Sequence, residues 1–193
     1  MNPLTRLPKF FASLAALVFF CGVAGSSFAA SAEEQRNEIR KMRKETLAQL
    51  YKAHPAARAD IQKALGYAVF SNIGINLIFL SAAGGSGVAH DNRSGKDIYM
   101  KMVSGGIGIG LGVKDFRGIF VFSDGKAFRQ FVESGWEASA QADAAAKSGE
   151  KGGAAAGAIT VAPGVKLYQL TKNGLALQAT IQGTKYYKND DLN

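Results

Sequence analysis

Gly66-Tyr-Ala-Val-Phe-Ser71 is the stretch on which the reading of this chain turns. Before it, apolar residues recur at helical spacing. From it onward, branched and aromatic residues gather in short runs bounded by glycine and polar turns, which is the pattern of strands. The change of period at Gly66 predicts an α+β fold: amino-terminal amphipathic helices, then a mainly antiparallel β-barrel or sandwich-like domain with one short inserted helix.

Upstream of the change, Glu33 to Tyr51 is rich in charge, and Ile39, Met42, Leu47, Leu50 and Tyr51 fall close to one helical face. His54-Pro55 ends this helix, and a second one runs from Ala56 to Leu65 with Pro55 in its first turn and Gly66 as its cap. Arg36, Arg40, Lys41, Arg43 and Lys44 crowd the middle of the first helix, where they form a basic face able to meet phosphate.

Downstream, strands are predicted at residues 67–71, 76–80, 98–103 and 118–122, the last running into the turn-like Ser123-Asp-Gly125. A short helix follows from Lys126 to Glu133, with Phe128 and Phe131, or Val132, inward. In Gly106-Ile-Gly-Ile-Gly-Leu-Gly-Val113 glycine alternates with a large aliphatic residue, so Gly106, Gly108, Gly110 and Gly112 give a strand one bare face for close packing. Their equal spacing does not match a dinucleotide-binding loop. Glu137 to Ala144 alternates polar residues with alanine and reads as a strand with a small-residue face. Residues 147–157 are a low-complexity Gly/Ala/Lys loop. The last strands are 158–162, 165–170 and 175–182, with Lys172-Asn-Gly174 as the hairpin turn between the final two.

The first 32 residues stand apart. Arg6 and Lys9 precede the apolar run Phe10 to Gly25, and small residues follow at Ser27-Phe-Ala29 and Ala30-Ser-Ala32, the order of a secretory signal peptide cut after Ala29 or Ala32. The mature protein is therefore expected in the periplasm or secreted. Cys21 is the single cysteine; Phe19 and Phe20 before it do not suit acylation, so it reads as filler in a segment later removed. The remainder, 33–65 and 66–193, makes one folded unit with no disulfide.

The 193 residues carry a formal charge of +8, and removal of Arg6 and Lys9 leaves the chain basic. Outside the cytoplasm such a charge points to anionic lipid, acidic polysaccharide or an acidic protein surface, and away from nucleic acid.

The residues of chemistry are sparse. Only His54, beside Pro55, and His90, in a polar loop, could serve as imidazole bases, and neither has an evident partner in sequence. Gly84-Gly-Ser-Gly-Val88 lacks the last glycine of a nucleophile elbow and reads as a turn. No zinc set exists, and Asp190-Asp191 reads as a solvated acidic tail. Trp136 is a core or loop-edge anchor. No catalytic residue, metal or cofactor is expected, and the chain reads as a non-enzyme.

From about Leu65 to Asn193 the chain resembles the SYLF family of lipid-binding and actin-binding domains. The likeness lies in Ala64-Leu-Gly-Tyr-Ala-Val-Phe70, Gly84 to Gly87, Ser104-Gly-Gly-Ile-Gly-Ile-Gly-Leu-Gly-Val113, Asp115-Phe-Arg-Gly-Ile-Phe-Val-Phe122 with the helix after it, and Gly174-Leu-Ala-Leu-Gln-Ala-Thr-Ile-Gln-Gly183. The resemblance implies a binding module. Eukaryotic members bind phosphoinositide membranes through a basic amphipathic amino-terminal segment, and some bundle actin; bacterial members are exported or lipid-anchored. An exported chain without a second domain is not expected to meet actin. The expected ligand is an anionic lipid or membrane surface, with Arg36, Arg40, Lys41, Arg43 and Lys44 supplying charge and Ile39, Met42 and Leu47 inserting or docking. The alternative is a structural or protein-interaction component of the cell envelope, its helix packed on the β domain and no lipid bound.

Overall fold

In a computed structural model the described residues are 31–72, 84–104, 117–138, 157–171, 174–175 and 183–193. The first helix, α1, spans Ala32–Ala53. Its start is fixed by a capping box: Ser31 Oγ accepts from the Glu34 amide at 3.2 Å, and Glu34 Oε2 accepts from the Ser31 amide at 2.7 Å. His54-Pro55 ends it, and α2 follows at Ala57–Lys63. Gly66 is not the cap of α2, as the sequence suggested. Ala64 is, and Gly66 opens the first strand because a Cβ there would come within 2.6 Å of Phe128 Cε2.

The strands are β1 (Gly66–Ser71), β2 (Gly84–Asp91), β3 (Asp97–Ser104), β4 (Arg117–Phe122), β5 (Trp136–Glu137), β6 (Ile159–Ala162), β7 (Val165–Thr171), β8 (Gly174–Leu175) and β9 (Thr184–Lys188), with α3 (Gly125–Glu133) between β4 and β5. All pair antiparallel in one sheet of order β5-β9-β3-β2-β1-β4-β7-β6, and β8 pairs with β7. The expected α+β class, with helices first and one inserted helix, is what the structure shows.

The sheet is strongly curled. Trp136 on β5 stands five strands from Phe120 on β4, a distance of about 24 Å if the sheet were flat, yet the two rings lie 5.5 Å apart. Only a half-barrel brings them together. Its concave face holds Phe70, Met100, Phe120, Phe122, Leu167 and Tyr186, covered by α3 through Phe128, Phe131 and Val132. Its convex face holds Val69, Val88, Tyr99, Ile119, Tyr168 and Leu170, covered by α1 and α2 through Ile39, Met42, Leu50 and Ile61.

The strand β2 corrects the turn reading of Gly84 to Val88. Period-two alternation is hidden there because the concave positions are Gly85, Gly87 and Ala89. A Cβ on Gly87 would lie 2.3 Å from Phe70 Cδ1, and one on Gly85 2.2 Å from Met102 Cε, so the strand is bare where its neighbours are bulky. Ser123-Asp-Gly125 is likewise no hairpin turn: Asp124 caps α3, its Oδ1 accepting from the Lys126 amide at 2.7 Å. The glycine-alternating stretch with Gly106, Gly108, Gly110 and Gly112, the strand expected at 76–80, residues 139–156 and 176–182 lie outside the described residues.

Candidate functional site

The basic helix α1 is built into the convex face by side chains one turn apart. Ile39, Met42, Thr46 and Leu50 are buried, and Leu47 packs partly buried against the same core. The three arginines of the basic face turn toward β3 and the carboxyl end of the chain. Arg36 Nε donates to the Leu192 carbonyl at 2.9 Å, Arg40 Nη1 to Tyr99 Oη at 2.7 Å, and Arg43 Nη1 to Asp97 Oδ1 at 2.6 Å. Glu33 pairs with both Arg36 and Arg40, and these two partners hold its carboxyl below the usual range.

Lys41 and Lys44 are placed differently. Both are exposed, and neither forms an ion pair among the described residues. The six candidate apolar and basic positions other than these two are thus committed to the protein's own interior or to its own polar groups, with Leu47 only partly covered.

His90 corrects the reading of a polar loop without a partner. It stands one residue before the end of β2, directly opposite Asp97 of β3 across a tight hairpin, and its Nδ1 lies 2.6 Å from Asp97 Oδ1. The same oxygen accepts from Arg43, and the Tyr67 ring packs on the imidazole at 5.2 Å. Burial opposes ionisation of Asp97, but the hydrogen bonds from His90 and Arg43 outweigh it, and the carboxyl stays below its ordinary range. An imidazole oriented by a carboxylate is the supporting half of a catalytic triad. Here the carboxylate is shared with Arg43, which makes the cluster a three-way link of α1, β2 and β3. The sequence signal for it was the turn-forming Asn92-Arg-Ser-Gly95, which sets His90 and Asp97 equidistant from a hairpin tip.

A second polar link ties α2 to β7. Asp60 Oδ2 accepts from Lys166 Nζ at 3.0 Å and from Tyr168 Oη at 2.8 Å. Asn92 Nδ2 donates to the Ile61 and Ala64 carbonyls, closing the end of α2 onto the β2–β3 hairpin. Of the two carboxylates expected in a solvated tail, Asp191 pairs with Lys101 at 2.9 Å. Among the described residues no cluster of three metal-ligating side chains occurs, and no helix is long and apolar enough to cross a membrane.

The chain is similar to Beta cell expansion factor A of Aeromonas veronii. The two are 35% identical over 164 residues, which is 84% of this chain and 60% of that protein, so the chain spans well under two thirds of its relative's length. No family model matches the chain.

Proposed function

We propose that the chain is an exported, non-enzymatic binding module of the SYLF family that attaches to anionic lipid surfaces through the solvent face of α1. Family membership is supported by the quoted segments, three of which fall in part or whole on regular elements: 66–70 of the first on β1, 84–87 on β2, and 117–122 with the helix after it on β4 and α3. The observation that carries the lipid reading is the pair Lys41 and Lys44, exposed and unpaired among the described residues on a helix otherwise fastened to the sheet.

This geometry refines the mode of attachment. Ile39 is 2% exposed and Met42 9%, so insertion of the apolar face would first require α1 to leave the sheet. Attachment is therefore electrostatic and peripheral, with each lysine near the surface contributing about 1 kcal/mol and salt weakening the sum. Flotation with vesicles tests it. The protein is expected to float with anionic but not neutral vesicles, and the double substitution Lys41→Glu, Lys44→Glu is expected to weaken binding by about tenfold or more. Equal flotation with neutral vesicles, or an unaffected double variant, would overturn the reading.

The docking of α1 also favours a second reading, an envelope component that meets a protein or polysaccharide. Absence from every vesicle fraction, together with strong protection of the α1 amides from hydrogen exchange, would select it.

Export is supported by the charged, apolar and small-residue order of residues 1–32. The capping box favours the earlier of the two cleavage points. A cut after Ala32 would remove Ser31 and set a positive α-amine at the positive end of the α1 dipole. A cut after Ala29 keeps the cap, so mass spectrometry of the exported protein should find Ala30 first and no acylated Cys21. A chain beginning at Glu33, or at a lipid-modified Cys21, would refute this.

A further inference from the structure

On the face of the sheet away from α1, a cleft of about 310 Å³ opens between α3 and the β6–β7 turn. Its buried floor is Phe122, Phe131 and Val165, and half-buried Trp136 and Ala162 form its sides. Lys126 stands exposed at the rim. The cleft exists because α3 spans the mouth of the half-barrel while small Ala162 faces it from the edge strand β6.

Its chemistry selects among ligands. A polar molecule seated on three apolar side chains would give up hydrogen bonds to water without replacement. The volume is at the small end of sites that take organic molecules. The rim adds a sign. Lys126 forms no ion pair among the described residues, whereas the rim carboxylate, Asp124, is turned to the α3 amino terminus, where it caps the Lys126 amide at 2.7 Å.

We propose that this cleft binds a single-chain anionic amphiphile, such as a free fatty carboxylate. Its chain lies against Phe122, Phe131 and Trp136, and its head group meets Lys126. The site is separate from the lysines of α1 on the opposite face and stands or falls independently of attachment to a membrane.

Trp136 is the one tryptophan of the chain, so its emission reports occupancy directly. Decanoate, titrated below its micellar concentration into the purified protein, is expected to shift that emission saturably. Decanol should do the same about threefold more weakly, the factor of one exposed ion pair, and acetate should do nothing. Lys126→Gln is expected to bring decanoate down to the level of decanol. Ala162→Leu narrows the cleft and should weaken both amphiphiles by about tenfold; Ala127→Leu narrows it from the helix side. Circular dichroism checks that each variant folds, and if neither narrowed variant does, the decanoate-to-decanol ratio in Lys126→Gln decides. The proposal is overturned by a non-saturable response to decanoate, by folded narrowed variants that bind as the parent does, or by Lys126→Gln weakening both amphiphiles equally. An equal shift with neutral vesicles would overturn the free amphiphile as the source.

Discussion

The two faces of the half-barrel are held by different physics. On the concave face, Phe70, Phe120, Phe122, Phe131 and Tyr186 pack ring against ring, with centroids such as Phe70–Tyr186 at 4.7 Å and Phe122–Phe131 at 5.0 Å. On the convex face the apolar contacts of Ile39, Leu50 and Ile61 are accompanied by directed links: Arg43 and His90 to Asp97, Arg40 to Tyr99, Lys166 and Tyr168 to Asp60. Burial is strong but non-directional, so it favours a covered sheet without choosing where a helix sits. Hydrogen bonds choose. The contrast explains how α3 can be placed by shape alone while α1 and α2 carry polar latches.

If so, the concave face should be the more sensitive to volume. Phe120 is fully buried and touches Phe70, Phe122, Phe131, Trp136 and Tyr186. Phe120→Ala is expected to destabilise by about 3–5 kcal/mol through lost burial and an unfilled cavity, read as a fall in the urea midpoint. A loss no greater than that of a surface substitution would show that the ring cluster does not carry the fold.

The same contrast explains what was legible in the sequence. Elements that bury their own side chains announced themselves: α1, β1, β3, β4, α3, β6 and β7 all carry a visible period. β2 did not, since its concave positions are glycine and alanine and the bulk that fills the space belongs to Phe70 and Met102 on neighbouring strands. β9 escaped because Tyr186 alone of its residues is buried, among exposed and half-exposed ones. The basic face of α1 was legible as charge but not as contact. Arg36, Arg40 and Arg43 find their partners at Leu192, Tyr99 and Asp97, which lie 54 to 156 positions away in sequence, beyond any local pattern.

The convex face, in turn, should be the one that responds to acid. The folded-state pKa of Asp97 lies below its ordinary value, so the stability it contributes is present in full above the unfolded value, about 3.9, and is lost as pH falls through the folded one. Asp97→Asn is expected to destabilise by about 1–2 kcal/mol at neutral pH, the range of a partly exposed charge-assisted hydrogen bond. The gap to the parent should then close in acid. Urea midpoints at neutral and acid pH measure it, and a gap that stays constant would mean the link to Arg43 and His90 contributes nothing through charge.

One substitution, made once on each face, sharpens the comparison most finely. Tyr168, on the convex face, donates to Asp60 at 2.8 Å, and its hydroxyl is held protonated by burial and by that carboxylate. Tyr186, on the concave face, is wholly buried and its hydroxyl has no hydrogen-bond partner among the described residues. Tyr168→Phe deletes a bond and should destabilise by about 1 kcal/mol. Tyr186→Phe deletes a desolvated group that bonds nothing among the described residues, so it should be neutral or stabilise by up to about 1 kcal/mol. Opposite signs in the two thermal midpoints would tie the directed contacts to the convex face. Equal losses would mean that the Tyr186 hydroxyl is satisfied in solution, and the physical distinction between the faces would narrow to their charges.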